Sequence, residues 1–202
     1  EGFTARRVSG SIWDGAIQDA RFGEVALGSL KASISPLSLL IGRARVAIDG
    51  RAHGVEGALH GVLISSRTRR GVDQLSGVLP TGRAFAPLPV TRLTLDAITV
   101  SFLGDKCVDA EGRVIAALSG DVAGIQLPAE VSGNARCDGG ALLLPLASQS
   151  GNETITLRVT GAGTYSAALA LVPGDPAAAQ ALAALGFVAS GSGYQLSVEG
   201  RF

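Results

Sequence analysis

The chain has 202 residues, of which 47% are hydrophobic, 17% charged and only 4% aromatic, with 28 glycines. That balance excludes a disordered chain and leaves room for one domain with a substantial core, or at most two small ones. Seventeen Lys and Arg offset seventeen Asp and Glu, which argues against a nucleic-acid binder, since that needs a basic stripe.

The charge is unevenly spread. Residues 1–100 hold 12 basic against 8 acidic side chains, and residues 101–202 hold 5 against 9. Ordinary surface charge is the plain reading; a different attraction of the two halves for charged partners is the sharper one. Arg supplies 15 of the 17 basic residues. With no Met in the chain, any leader or membrane anchor is expected upstream of Glu1. No apolar run approaches the ~20 residues of a membrane-spanning helix.

Taken in order, the opening Val8-Ser9-Gly10-Ser11-Ile12-Trp13-Asp14-Gly15 holds the only Trp. Trp13 reads first as a core anchor, and second as a contact residue. Residues 43–49 alternate, with Ala44, Val46 and Ile48 on one face, and Asp49-Gly50 is expected to turn the chain. The glycine-rich segment 50–61 is expected to bend. It carries His53 and His60, seven apart, which suits surface histidines better than a metal pair. Residues 65–71 form the densest basic cluster, Arg67, Arg69 and Arg70. A solvated loop is the plain reading, and a contact with anionic lipid headgroups or an acidic partner is the functional one.

Weaker alternation covers residues 90–96 and 113–119. Asp105, Asp109 and Glu111 surround Cys107, but without a calcium-loop pattern they read as a solvated hairpin end. Cys107 and Cys137 are 30 apart, which is no metal spacing. They form either a disulfide in an oxidising compartment or two buried thiols. Both sit at strand-end positions, and a bridge closing such a loop contributes roughly 3–4 kcal/mol, so a disulfide and an extracytoplasmic setting are the preferred expectation. Turns are also expected at Glu111-Gly112, Ser119-Gly120-Asp121, Asp138-Gly139-Gly140, Ser150-Gly151-Asn152 and Gly161-Ala162-Gly163. Prolines 36, 80, 87, 89, 128 and 145 mark breaks or edge positions.

Toward the C-terminus, Ile155, Leu157 and Val159 alternate with Thr and Arg. Tyr165, Ala167, Leu169 and Leu171 repeat the pattern. Asp175 is a good helix N-cap, Pro176 suits the first turn, and Gly186 suits the C-terminal cap. Leu182 and Leu185 are placed on one helix face. Gly191-Ser192-Gly193 precedes a strand, so it is no phosphate cradle. Asn152-Glu153-Thr154 fits a glycosylation sequon. Tyr194, Leu196, Val198, Gly200 and Phe202 alternate like the last strand of an outer-membrane barrel, yet nine aromatics in the chain are too few for its girdles.

Period-two alternation broken by closely spaced turns predicts an all-β fold. It is expected as a single large antiparallel sheet, curved or partly closed, built as a meander of hairpins with one short C-terminal helix. One domain over residues 1–202 is expected. No phosphate-loop, nucleophile-elbow, S-x-x-K or H-E-x-x-H motif occurs. Neither catalytic residues, a cofactor nor a metal site is assigned.

Several segments, in order, resemble the protein N family of the type II secretion system. They are the 8–15 opening, Pro36-Leu37-Ser38-Leu39-Leu40-Ile41-Gly42, the two Cys where that family's paired Cys are expected, the 175–186 helix, and the ending Gly193-Tyr194 with Glu199-Gly200-Arg201-Phe202. The chain departs from the family at Val25-Ala26-Leu27, where members often carry a Trp. The resemblance implies a non-enzymatic accessory subunit in the periplasm, held at the inner membrane by an upstream anchor. Its implied partners are other secretion subunits of the inner membrane or the outer-membrane secretin. A scaffold that docks them through open sheet edges or Arg-rich loops is the first reading. An envelope protein with an apolar groove for a lipid or acyl chain is the alternative, by analogy of fold alone.

Overall fold

The computed structural model describes residues 3–11, 13–22, 25–40, 42–51, 58–82 and 84–201. Strands β1 (Phe3–Thr4), β2 (Arg7–Gly10), β3 (Asp14–Phe22) and β4 (Val25–Ile34) lead into a short helix α1 (Pro36–Leu40). Then come β5 (Ala44–Arg51), β6 (Ala58–Ser65), β7 (Arg69–Pro80), β8 (Val90–Leu103) and β9 (Lys106–Leu118). A small hairpin, β10 (Asp121–Val122) and β11 (Ile125–Gln126), precedes β12 (Glu130–Asn134), β13 (Arg136–Asp138), β14 (Ala141–Ala147), β15 (Glu153–Val159) and β16 (Thr164–Leu171). Helix α2 (Pro176–Ala184), β17 (Val188–Ser190) and β18 (Gly193–Arg201) finish the chain.

Among the described residues, 16 of these strands form one antiparallel sheet, ordered β1-β3-β4-β5-β6-β7-β8-β9-β12-β14-β15-β16-β18-β17, with β2 also on β3 and β13 also on β14. The expected all-β meander with a C-terminal helix is what the chain adopts. The sheet is open, with two ends rather than a closed barrel. No helix among the described residues is long and apolar enough to cross a membrane.

Alternation gives the sheet one apolar face. Its cross-strand rows run Leu30–Gly50–Leu59, then Gly77–Leu95–Val114–Gly133, then Leu146–Ile155–Leu169–Leu196. Val90 and Leu93 of β8 line one small gap with Ala167 of β16, five strands away in the sheet, so the sheet coils to bury that face. Most of the burial lies in β8–β18, where one cluster gathers Val100, Val114, Val131, Leu146, Ile155 and Leu169. Phe85 and Leu88 from the 81–89 loop, and Leu182 and Phe187 from the α2 region, complete it. The Tyr165 hydroxyl donates to the Ala84 carbonyl at 2.5 Å, and its ring meets Phe85 edge-on at 5.6 Å. In β3–β6 the buried hydrophobic residues among those described are Ala20, Leu30 and Leu59.

Two expected turns lie inside strands. Asp49-Gly50 is within β5 and Glu111-Gly112 within β9. At Gly50 a Cβ would strike the Ser29 carbonyl, so glycine here allows strands to approach rather than turn. Gly112, at φ +105, faces the bulge at Ala97, whose carbonyl would lie 2.6 Å from an added Cβ. That bulge belongs to a run of register shifts through β7 and β8, which bends the sheet. Ser76 Oγ accepts the Ala97 N–H at 2.8 Å, and Thr99 Oγ1 accepts the Gln74 N–H at 3.2 Å, so hydroxyls take bonds the ladder gives up.

Pro145, read as a break, lies within β14. It sits where the partner on one side changes from β12 to β13, a gap that tolerates its missing N–H. Pro36 opens α1, a helix the sequence reading lacks. Helix α2 starts as expected, with the Asp175 carboxylate accepting the Ala177 N–H at 2.8 Å. It ends with Phe187 N–H on the Leu182 carbonyl and Gly186 N–H on the Ala183 carbonyl, both at 3.1 Å. Leu182 is fully buried, but Leu185 sits at the C-cap and is exposed, so the two do not share a buried face. His53 and half of the expected 50–61 bend, residues 52–57, lie outside the described residues, as does Phe202.

Two substitutions test this packing. Leu169→Ala, at a site with 0% exposure, is expected to cost about 2–5 kcal/mol in urea unfolding. Gly112→Ala is expected to cost about 1–3 kcal/mol through its positive φ and the Ala97 contact. A Gly112→Ala chain of native stability would contradict the bulge geometry.

Candidate functional site: one rim of turns and two open edges

Antiparallel order sorts the turns into two ends. β3 begins at the end where β4 finishes, because Asp14 pairs with Ser33. The same end receives the β4–β5, β6–β7 and β8–β9 connections, given the pairs Ile34–Val46, Ala44–Ser65, Arg69–Leu103 and Leu103–Lys106. One rim therefore carries Trp13, α1, Arg67, Arg69, Arg70 and the start of β9. The disulfide and the β13–β14 turn join it there: the Cys107 N–H donates to the Gly140 carbonyl at 2.7 Å.

Each turn on this rim is fixed locally. Ser11 Oγ accepts the N–H groups of Trp13 and Asp14, both at 3.2 Å, and the Trp13 carbonyl accepts the Ile34 N–H at 3.0 Å. Trp13 is 46% exposed, so it is not the core anchor that a lone Trp suggests. Ser11 holds the backbone of Trp13 at a turn tip. Ser66 Oγ accepts the Arg69 N–H at 3.0 Å and donates to the Arg69 carbonyl at 3.1 Å, which sets the Arg67 turn. Arg70 reaches across to Asp105 at 2.8 Å, and the Gly104 N–H donates to the Thr68 carbonyl at 2.8 Å. The Arg70–Asp105 pair is exposed and contributes about 0–1 kcal/mol; its effect is to hold two turns in register. Arg158 does the same for the β13–β14 turn, reaching Asp138 Oδ2 at 2.7 Å and the Asp138 carbonyl at 3.0 Å.

Cys107 and Cys137 are joined by a disulfide, with Cα atoms 5.5 Å apart across 30 residues. It ties the start of β9 to β13 behind the rim. Asp109 and Glu111 lie on β9 opposite Ser101 and Thr99, while Asp105 faces Arg70. Among the described residues, no group of three His, Cys, Asp or Glu stands close enough to hold a metal. Gly191-Ser192 is the tight turn between β17 and β18.

The sheet's two edges are the second feature. β17 covers β18 only as far as Gln195, and among the described residues 196–201 pair with β16 alone. At the far edge, β2 is exposed along its whole length, with Val8 69% exposed.

A model of the family described as type II secretion system, protein N, matches residues 1–197. The chain belongs to the type II secretion system protein N family. It is thus a component of the type II secretion machinery. No curated protein and no solved structure matches it significantly. Of the residues singled out by sequence, Trp13, Arg67, Arg69, Arg70, Cys107 and Cys137 all fall at the same end of this sheet. Arg43, Leu39 and Leu103 share that end and were missed. Strand polarity, counted turn by turn, is the signal that finds them.

The disulfide supplies a direct test. Reduction, or Cys107→Ser with Cys137→Ser, is expected to lower stability by about 3–4 kcal/mol in urea unfolding. An unchanged midpoint under reductant would show that the bridge is absent from the folded protein.

Proposed function

We propose that this chain is a non-enzymatic scaffold of the type II secretion machinery. It works in the periplasm as one domain, beyond an inner-membrane anchor upstream of Glu1. It docks other secretion subunits, of the inner membrane or the outer-membrane secretin, by strand addition at its open sheet edges. The observation that carries this reading is the unshared side of β18 over residues 196–201. A row of free backbone groups there is a template for an extended partner segment. Family membership makes other secretion subunits the relevant partners. The disulfide supports an oxidising compartment.

Within the core between β8 and β16, the acyl-chain alternative finds little room. The apolar gap lined by Phe85, Leu88, Val90, Leu144 and Ile155 measures about 10 Å³, at the lower bound for a single water.

Photo-crosslinking in cells with the whole secretion machinery tests the scaffold. A crosslinker at Ser197 on β18 or Ser9 on β2 is expected to capture another secretion subunit. Ser166, on a strand paired on both sides, is expected to capture none. Failure at both edges sinks strand addition.

A further inference from the structure

The rim from β3 to β8 combines two chemistries. Apolar side chains stand out into solvent at separate points of the rim: Trp13 is 46% exposed, Leu39 on α1 43% and Leu103 at the end of β8 50%. Between them lie five arginines, at 43, 45, 67, 69 and 70. Arg45 is neutralised by Asp73 at 3.0 Å and Arg70 by Asp105 at 2.8 Å. Among the described residues, no ion pair is formed by Arg43, Arg67 or Arg69. Asp14 is the remaining acid on this stretch, so the rim is net cationic. Five strand spacings separate the head of β3 from the end of β8, about 24 Å at about 4.8 Å per strand.

The array runs apolar tip, cations, apolar tip along that row. A protein partner would bind such a row through a central, desolvated anchor in a fitted pocket; here the apolar groups are spread over separate points of the rim. A bilayer surface needs no matching shape. It accepts single apolar side chains among its headgroups, favours indole at that depth, and attracts arginines to its phosphates. We infer that this rim rests on an anionic phospholipid bilayer, with Trp13, Leu39 and Leu103 entering the headgroup layer and Arg43, Arg67 and Arg69 meeting lipid phosphates. The contact is independent of which subunit docks at the sheet edges.

Trp13 is the only tryptophan in the chain, so its emission reports on the rim alone. The whole 202-residue chain is mixed with phosphatidylcholine vesicles, with or without phosphatidylglycerol. With phosphatidylglycerol present, Trp13 emission is expected to move to shorter wavelength and the protein to sediment with the vesicles; both effects fade at high salt. Arg67→Gln with Arg69→Gln is expected to weaken binding about fivefold per arginine, with the urea midpoint unchanged. Trp13→Ala, followed by sedimentation, is expected to weaken it as well. An unmoved emission with anionic vesicles overturns the inference, as does equal binding to phosphatidylcholine alone. Binding to polyglutamate with vesicles inert also overturns it, and assigns the rim to an acidic protein instead.

Discussion

The structure depends on one physical problem: a single long sheet with an apolar face and little else to lay on it. Helix α2 delivers Leu182, the segment after it delivers Phe187, and the 81–89 loop delivers Phe85 and Leu88. That is too little to cover 16 strands. The remaining burial comes from coiling, which requires closely approaching strands and local bends. Gly50 permits the first and the Ala97 bulge opposite Gly112 provides the second. Both rest on positions where a side chain would push neighbouring strands apart.

Coiling is uneven, and so is the core. From β8 onward the face closes on itself around Val114, Leu146 and Leu169, whereas β3–β6 retain a small cluster around Leu30 and Leu59. Residues such as Val46 and Ile48, which alternate as cleanly as any, stay half-buried. The disulfide and the Arg158–Asp138 pair lie on the better-packed side, at the rim. Stability and exposed chemistry are thereby separated along the sheet: the β8–β18 half supplies a firm base, and the β3–β8 rim carries the exposed Trp13 and the cations.

Much of this fold was legible in the sequence because period two survives packing. Residues 154–159, 165–171 and 194–198 alternate as strands and pair as strands. The Asp175, Pro176 and Gly186 caps bound a helix of the expected length. Misreadings cluster where glycine, proline or tryptophan has two meanings. Asp49-Gly50 and Glu111-Gly112 look like hairpin turns, but their glycines answer to a neighbouring strand that local sequence does not display. Pro145 looks like a break, but the gap lies in the partner strand. Trp13 looks like core, yet Ser11 holds its backbone at a turn tip. The candidate site was legible residue by residue but not as a place. Trp13 and Arg67 are 54 positions apart in the chain, and it takes the antiparallel order of β3 to β7 to set them on one rim.

The open edges raise a further question, because an unpaired strand invites aggregation as readily as a partner. The chain limits that hazard in three ways. Its outermost strands are short: β2 has four residues and β17 three. β17 covers the first part of β18, so among the described residues of that strand only 196–201 stay open. Charges punctuate what remains, with Arg7 on β2 and Glu199 and Arg201 on β18, and Gly200 interrupts the apolar alternation there. An edge guarded in this way discriminates. Under the proposed strand addition, it would pair poorly with a generic hydrophobic strand and favour a segment whose own charges match Glu199 and Arg201.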